Sequence, residues 1–303
     1  MVSQQTFDTA RLPQAAMIER LRQICRQDER VVAAMLYGSF TLNEADEFSD
    51  IDAALFFVDE RLAEVDQAAW VGQIAPVEFY YRNEYGNGVA IFNNLVRAEF
   101  HFDRAADMHT LATWRGNAWF PSLAATVLVD RTGQLAQHLE PLIGPPASRA
   151  TAHDVQFLCD GFLNWCLFGT NVLARGELAR SLEIMNLIHD SLLRMARLQE
   201  RTAERWITPT RALERELSPA AYERFQACTA SLDRAALWTA YLSAWQWGNE
   251  LMAVLAARHA VALPAALMDK LDQRLRHMAP LESASVTLNH KDSAFEPPSE
   301  TAT

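Results

Sequence analysis

Residues 31–58 read VVAAMLYGSFTLNEADEFSDIDAALFFV, and the fold of the first half of the chain follows from them. VVAAMLY is an apolar run of strand length, closed by Gly38-Ser39, a turn signal. IDAALFFV is a second such run. Ten mostly polar and acidic residues, predicted as loop or a short helix, separate Ser39 from Asp50-Ile51-Asp52. Side chains on a strand alternate between faces, so Asp50 and Asp52 share one side while Ile51, Ala53 and Leu55 take the other. Carboxylates at i and i+2 stand ~6–7 Å apart along the strand, within reach of a common metal. Hard magnesium takes oxygen donors and leaves positions for water and phosphate. The turn at Gly38 offers backbone N–H groups to phosphate, and Ser39 adds a hydroxyl. Together they form the two halves of a metal–triphosphate site.

Working outward, residues 14–29 space Ala16, Ile18, Leu21 and Ile24 as a helix that precedes the first strand. Residues 60–72 also read as helical. From Pro76 the texture is β, with a tight turn at Tyr85-Gly86-Asn87-Gly88 between two extended runs. LVRAEFHF (95–102) follows as a further strand. There Arg97, Glu99 and His101 share one face, and Val96, Ala98, Phe100 and Phe102 the other. A glutamate on a core strand is costly unless a cation stands beside it. Glu99 therefore points to a second metal position or to a base for an attacking hydroxyl. Arg97 on the same face balances charge or meets phosphate. A lone D-x-D is commonly a solvated pair. The Gly-Ser turn and Glu99 in strand context are what give it chemistry.

Residues 105–140 read as mixed helix and loop. GPPAS at 144–148 reads as a linker, and residues 152–277 as about five helices in a bundle, with breaks at Arg175-Gly176-Glu177, Ile207-Thr208-Pro209 and Leu217-Ser218-Pro219. The expected fold class is α+β: a mixed sheet with helices over 1–145, an all-α bundle over 146–279, and a polar, disordered tail over 280–303.

The chain of 303 residues carries a formal net charge of −11 and only two lysines, Lys270 and Lys291. That balance argues against a nucleic-acid substrate and suits a cationic small molecule. No unbroken apolar run approaches ~18 residues, and the N-terminus lacks a basic stretch followed by an apolar one. A cytoplasmic protein without a membrane span is therefore expected. Cys25, Cys159, Cys166 and Cys228 form no zinc-ligand pattern. Cys159 and Cys166 stand two helical turns, ~10 Å, apart, so buried free thiols are expected.

The ordered set Gly38-Ser39, Asp50, Asp52 and Glu99 resembles the nucleotidyltransferase superfamily that shares its catalytic sheet with DNA polymerase β. Four longer segments, YGSFTLNEADEFSDID, FFVDERLAEVDQAAWVGQIAP, RNEYGNGVAIFNNLVRAEFHF and LARGELARSLEIM, are similar to the lincosamide nucleotidyltransferases. This likeness runs from about Ile18 to about Arg276. Asp52 departs from relatives that carry glutamate there, and either acid binds magnesium. The resemblance implies an N-terminal nucleotidyltransferase domain, a C-terminal helical bundle and a homodimer. It implies two magnesium ions held by Asp50, Asp52 and Glu99, and a nucleoside triphosphate donor contacted at Gly38, Ser39 and Arg97. It further implies transfer of a nucleoside monophosphate, with AMP expected, to a hydroxyl of lincomycin or clindamycin. Both drugs carry a basic amine. In that scheme Glu99 takes the proton of the drug hydroxyl.

The alternatives are an aminoglycoside nucleotidyltransferase, with the same acids and another pocket, and a toxin–antitoxin type enzyme acting on a protein. The fused helical half disfavours the second. Arg180, in the family-like helical segment, is a candidate triphosphate contact, set against an ordinary helix-surface ion pair. Tyr80, Tyr81, Tyr85, Trp114 and Trp119 read as core more readily than as pocket lining. Tyr241, Trp245 and Trp247 read as bundle core or dimer contact, and His101 as a core histidine beside the acids.

Overall fold

A computed structural model describes residues 11–146 and 148–277. The expected tail over 280–303 lies outside them. The chain divides into two compact units between Ser148 and Arg149.

The first unit opens with α1 (Pro13–Gln27), begun by a proline at the first turn, where no N–H is missed. Its Met17, Leu21, Ile24 and Cys25 recur at helical spacing and are buried. β1 (Val31–Tyr37) and β2 (Ile51–Phe57) follow, with a 3-10 turn over Gly38–Phe40. Asp59–Glu64 is a 3-10 turn, and α2 (Gln67–Val71) is short, so the helical reading of 60–72 holds only in part. β3 (Val77–Arg82), β4 (Gly88–Phe92) and β5 (Arg97–Arg104) complete the early sheet.

Residues 105–140 depart from a simple helix-and-loop reading. After a 3-10 segment over Ala105–Trp114 come α3 (Leu123–Thr126), β6 (Val127–Asp130) and α4 (Gln134–Leu139). β6 is a four-residue strand that adds to the sheet edge beside β1. So short a strand carries no period that separates it from its flanking helical turns.

The sheet order is β3-β4-β5-β2-β1-β6. β2 and β5 run parallel and every other neighbouring pair is antiparallel. One face packs Ala34, Leu36, Ile51, Ala53, Leu55 and Phe100 under α1 and α2. The other packs Ala33, Met35, Ala54 and Phe56 under Met108, Leu111, Leu135 and Leu139. With both faces covered, β1 and β2 read as continuous apolar runs rather than as alternation.

The second unit contains α5 (Ala152–Ala174), α6 (Leu178–Glu200), α7 (Leu213–Glu216), α8 (Pro219–Ala227), α9 (Arg234–His259) and α10 (Ala265–His277). Breaks at Cys228–Asp233 and Ala260–Pro264 join those expected. Tyr241, Trp245 and Trp247 are buried in its core, and all four cysteines are free and buried. α5 is long and apolar enough to cross a membrane, which a count of unbroken apolar residues does not register. Half of that stretch is buried within the protein, as in a core helix.

Candidate active site

The backbone at the end of β1 sets the first half of the site. Gly38 adopts φ +73°, and a Cβ there would stand 2.6 Å from Asp52 Oδ2. Glycine is required on both counts: the left-handed conformation and the close approach of the carboxylate. The turn is closed by Thr41, whose N–H and hydroxyl both donate to the Gly38 carbonyl, at 3.2 and 2.8 Å. Ser39 is buried, and its carbonyl accepts from the Glu44 N–H at 2.9 Å. Gly38→Ala is expected to cost about 1–2 kcal/mol in backbone strain and to lower turnover more than tenfold by displacing Asp52. Thermal unfolding and an initial-rate assay check the two effects separately.

The loop before Asp50 is pinned from below. Gln14 of α1 is fully buried, and its amide donates to the carbonyls of Glu47 (3.1 Å) and Ser49 (2.9 Å). Ser49 and Asp46 close the loop reciprocally: the Ser49 hydroxyl donates to Asp46 Oδ1 at 3.0 Å and accepts from the Asp46 N–H at 2.9 Å. Gln14 carries no sequence signal, because its role depends on a loop more than thirty residues away.

The acids meet through strand pairing. On the parallel pair β2–β5, Asp52 stands opposite Glu99, and Tyr37 on β1 stands opposite Asp52. Asp50 directly precedes β2. Arg97 donates from Nη1 to Asp50 Oδ2 and from Nη2 to Glu99 Oε2, both at 2.7 Å. The other Glu99 oxygen accepts from the Asn87 amide at 2.9 Å. Since a carboxylate only accepts, this contact fixes which end of the Asn87 amide faces it. The same amide nitrogen lies 3.2 Å from His101 Nε2. Asn87 is a site residue that the turn signal alone does not reveal.

Burial pushes the Glu99 carboxyl up, but the Asn87 amide and the Arg97 guanidinium outweigh it and hold the group below its ordinary 4.5. Glu99 is therefore ionised throughout the neutral range. For a depressed acid, the stabilisation is complete above about 4.5 and is lost as pH falls through the lowered native value. Replacing Asn87 with leucine removes a donor and is expected to move the Glu99 titration upward. Carboxyl-carbon NMR on the metal-free protein checks the direction. Burial first, then Asp52, raises the Tyr37 phenol well above its usual range, so it is a neutral group here.

The apolar cover of this face ends in an aromatic wall. The rings of Tyr37 and Trp114 meet edge to face at 5.4 Å, and His101 packs against both at 5.7 and 6.2 Å. Tyr81 and Tyr85, by contrast, are exposed rather than core. Tyr80 is half-buried and donates its hydroxyl to Gln67 at 2.9 Å. Arg180 belongs to the second unit. There it pairs with Glu177 at 3.2 Å and lies over the Phe168 ring.

Carboxylate oxygens are the donors magnesium prefers, and Asp50, just before β2, Asp52 on β2 and Glu99 on β5 supply them. Among the described residues, however, no three acidic, histidine or cysteine side chains form a cluster around one point. The Arg97 guanidinium stands between Asp50 and Glu99 and pairs with both. These carboxylates are of the oxygen-donor type a divalent ion accepts, and Arg97 bridges two of them.

Comparison with known proteins places both halves. Residues 19–78 match the family model of the polymerase beta nucleotidyltransferase domain. Residues 151–274 match that of the lincosamide nucleotidyltransferase-like C-terminal domain. Comparison with curated proteins gave no match. Among solved structures, an aminoglycoside 6-adenyltransferase from Bacillus subtilis is similar at 14% identity, covering 86% of this chain and 96% of that one, with a TM-score of 0.41. A nucleotidyltransferase-like protein from Exiguobacterium sibiricum is similar at 13% identity, covering 86% and 88%, with a TM-score of 0.33. A Gly-Ser turn and strand-borne acids inside a polymerase-β-type match, followed by a lincosamide-type helical domain, make this chain a polymerase-β-like nucleotidyltransferase of the lincosamide nucleotidyltransferase type.

Proposed function

We propose that this enzyme transfers the nucleoside monophosphate of a nucleoside triphosphate, AMP foremost, to a hydroxyl of a lincosamide antibiotic, releasing pyrophosphate. The observation that carries the reading is the row Tyr37–Asp52–Glu99 across three strands, with the Gly38 turn at one end. The helical domain match supports the lincosamide class over an aminoglycoside. We assign the catalytic domain to 1–145 and the bundle to 146–279.

Asp50, Asp52 and Glu99 would hold two magnesium ions. Bound there, magnesium neutralises charge on the triphosphate and on the attacking and leaving oxygens. The N–H groups of the Gly38–Ser39 turn and the Ser39 hydroxyl orient phosphate oxygens. Arg97, freed from its carboxylates, meets a phosphate oxygen. Glu99, ionised at neutral pH, receives the proton of the acceptor hydroxyl. The hydroxyl oxygen bonds to the α-phosphorus as the bond to pyrophosphate breaks, in line. Homodimerisation and a reducing, cytoplasmic setting complete the proposal, the latter supported by four free buried thiols.

Pyrophosphate release tests it. Each of the four nucleoside triphosphates is incubated with magnesium and the protein, with lincomycin, kanamycin or neither. Release that requires lincomycin is expected, and fastest with ATP. Release with kanamycin alone moves the acceptor to the aminoglycosides.

A further inference from the structure

The rows that hold the acids continue past them. Across the antiparallel pairs, Glu99 stands opposite Val89 on β4, and Val89 opposite Tyr81 on β3. One row over, Arg97 stands opposite Ile91, and Ile91 opposite Phe79. Opposed residues in a ladder share a face, so Phe79 and Tyr81 lie on the same face as Asp52 and Glu99. A register shift between Val77 and Phe79 brings this about. The bulge leaves Val77 packed in the opposite core and turns the next odd residues to the site face.

There the two rings touch, with centroids 5.4 Å apart, and remain open to solvent: Phe79 is 54% exposed and Tyr81 43%. An aromatic pair left wet on an edge strand is unusual for a sheet whose other aromatics are packed. Its place in the row gives it a use. From one side to the other the order is Gly38 turn, Asp52, Glu99, Val89, Tyr81. The phosphate-holding turn lies on one side of Glu99 and the aromatic pair on the other. A base that takes the acceptor's proton has the donor's phosphates on one flank and the acceptor's body on the other. Two inter-strand steps separate Glu99 from Tyr81, ~10 Å.

We propose that Phe79 and Tyr81 form the acceptor platform of this enzyme, seating an apolar aliphatic or ring portion about 10 Å from the hydroxyl that is modified. The proposal rests on the nucleotidyl-transfer reading above and narrows its acceptor to an amphiphilic molecule. A polyhydroxylated polycation has no apolar end to seat there.

The test uses the full chain carrying Phe79→Thr with Tyr81→Thr, which keeps strand propensity at two exposed positions. Glu78→Gln, at the bulge, is the control. KM for lincomycin, KM for ATP, kcat, lincomycin binding by calorimetry and oligomeric state by sedimentation are measured. The expected result is a rise of about tenfold or more in lincomycin KM and Kd, with ATP KM, oligomeric state and the control unchanged. Unchanged lincomycin KM in an active protein overturns the platform and leaves the transfer reading standing. A shift in ATP KM instead overturns it by assigning the rings to the nucleobase. Loss of a dimer with unchanged KM makes the edge an interface between copies and likewise overturns it. Wild-type transfer to neither drug, or to kanamycin alone, removes its premise.

Discussion

Asp52→Asn is expected to leave a folded protein whose nucleotidyl transfer is slower by about a thousandfold or more. The substitution keeps the side chain's shape and removes only its charge. Asp52 sits in the central row of the site, flanked by Tyr37 and Glu99 and closed over by Gly38. Asparagine brings one neutral oxygen to a place where the proposed reaction would need an anion to hold a divalent ion. Stability is expected to change little, because the carboxylate lies in a polar row and not in either apolar core. Circular dichroism and a radiolabelled transfer assay, run on the same preparation, separate the two effects. Near-normal turnover with an unchanged spectrum would remove Asp52 from the machinery.

The second large effect is on stability and lies in the other unit. Arg197 of α6 is 1% exposed, and no chain can bury a guanidinium without partners. It donates to the carbonyls of Pro209 (2.8 Å), Arg211 (2.7 Å) and Thr202 (3.3 Å), and it pairs with Glu216 at 2.8 Å. One side chain thereby ties the irregular segment 202–216 to α6. Arg197→Met keeps the volume and removes every donor to these carbonyls and to Glu216. Glu216 keeps Arg205 at 3.1 Å, so the loss is incomplete. The expected cost is about 3–5 kcal/mol. Urea unfolding followed by tryptophan fluorescence is expected to show the transition of the second unit at markedly lower denaturant. An unmoved midpoint would mean that the segment holds itself.

The parts of this site that lie next to one another in sequence are the parts its letters reveal. Two apolar runs around Gly38-Ser39 and Asp50-x-Asp52 specify a strand, a turn and a strand, because both strands are buried on both faces. Alternation along 96–102 likewise separates Glu99 from the core. The pairing of Asp52 with Glu99 is harder to see, since β3 and β4 intervene in the chain while β5 lies beside β2 in the sheet. Asn87 and Gln14 act through contacts made only once the sheet has formed, so no local period marks them. Arg97 is visible as a charge on the right face, but its bridge between two acids is a matter of rotamer. Tyr81 reads as core because edge and interior strands use the same residue types. Only the bulge before Phe79 decides which way those rings face.

Asp50, Asp52 and Glu99 are proposed to carry out nucleotidyl transfer to a small hydroxylated drug. The most direct test is the mass of lincomycin after incubation with ATP, magnesium and the protein, beside an Asp50→Ala control. A product heavier by one AMP residue is expected with the wild-type protein and none with the variant. Unmodified lincomycin from folded wild-type protein would contradict the assigned acceptor, and an adduct formed equally well by Asp50→Ala would contradict the assigned site.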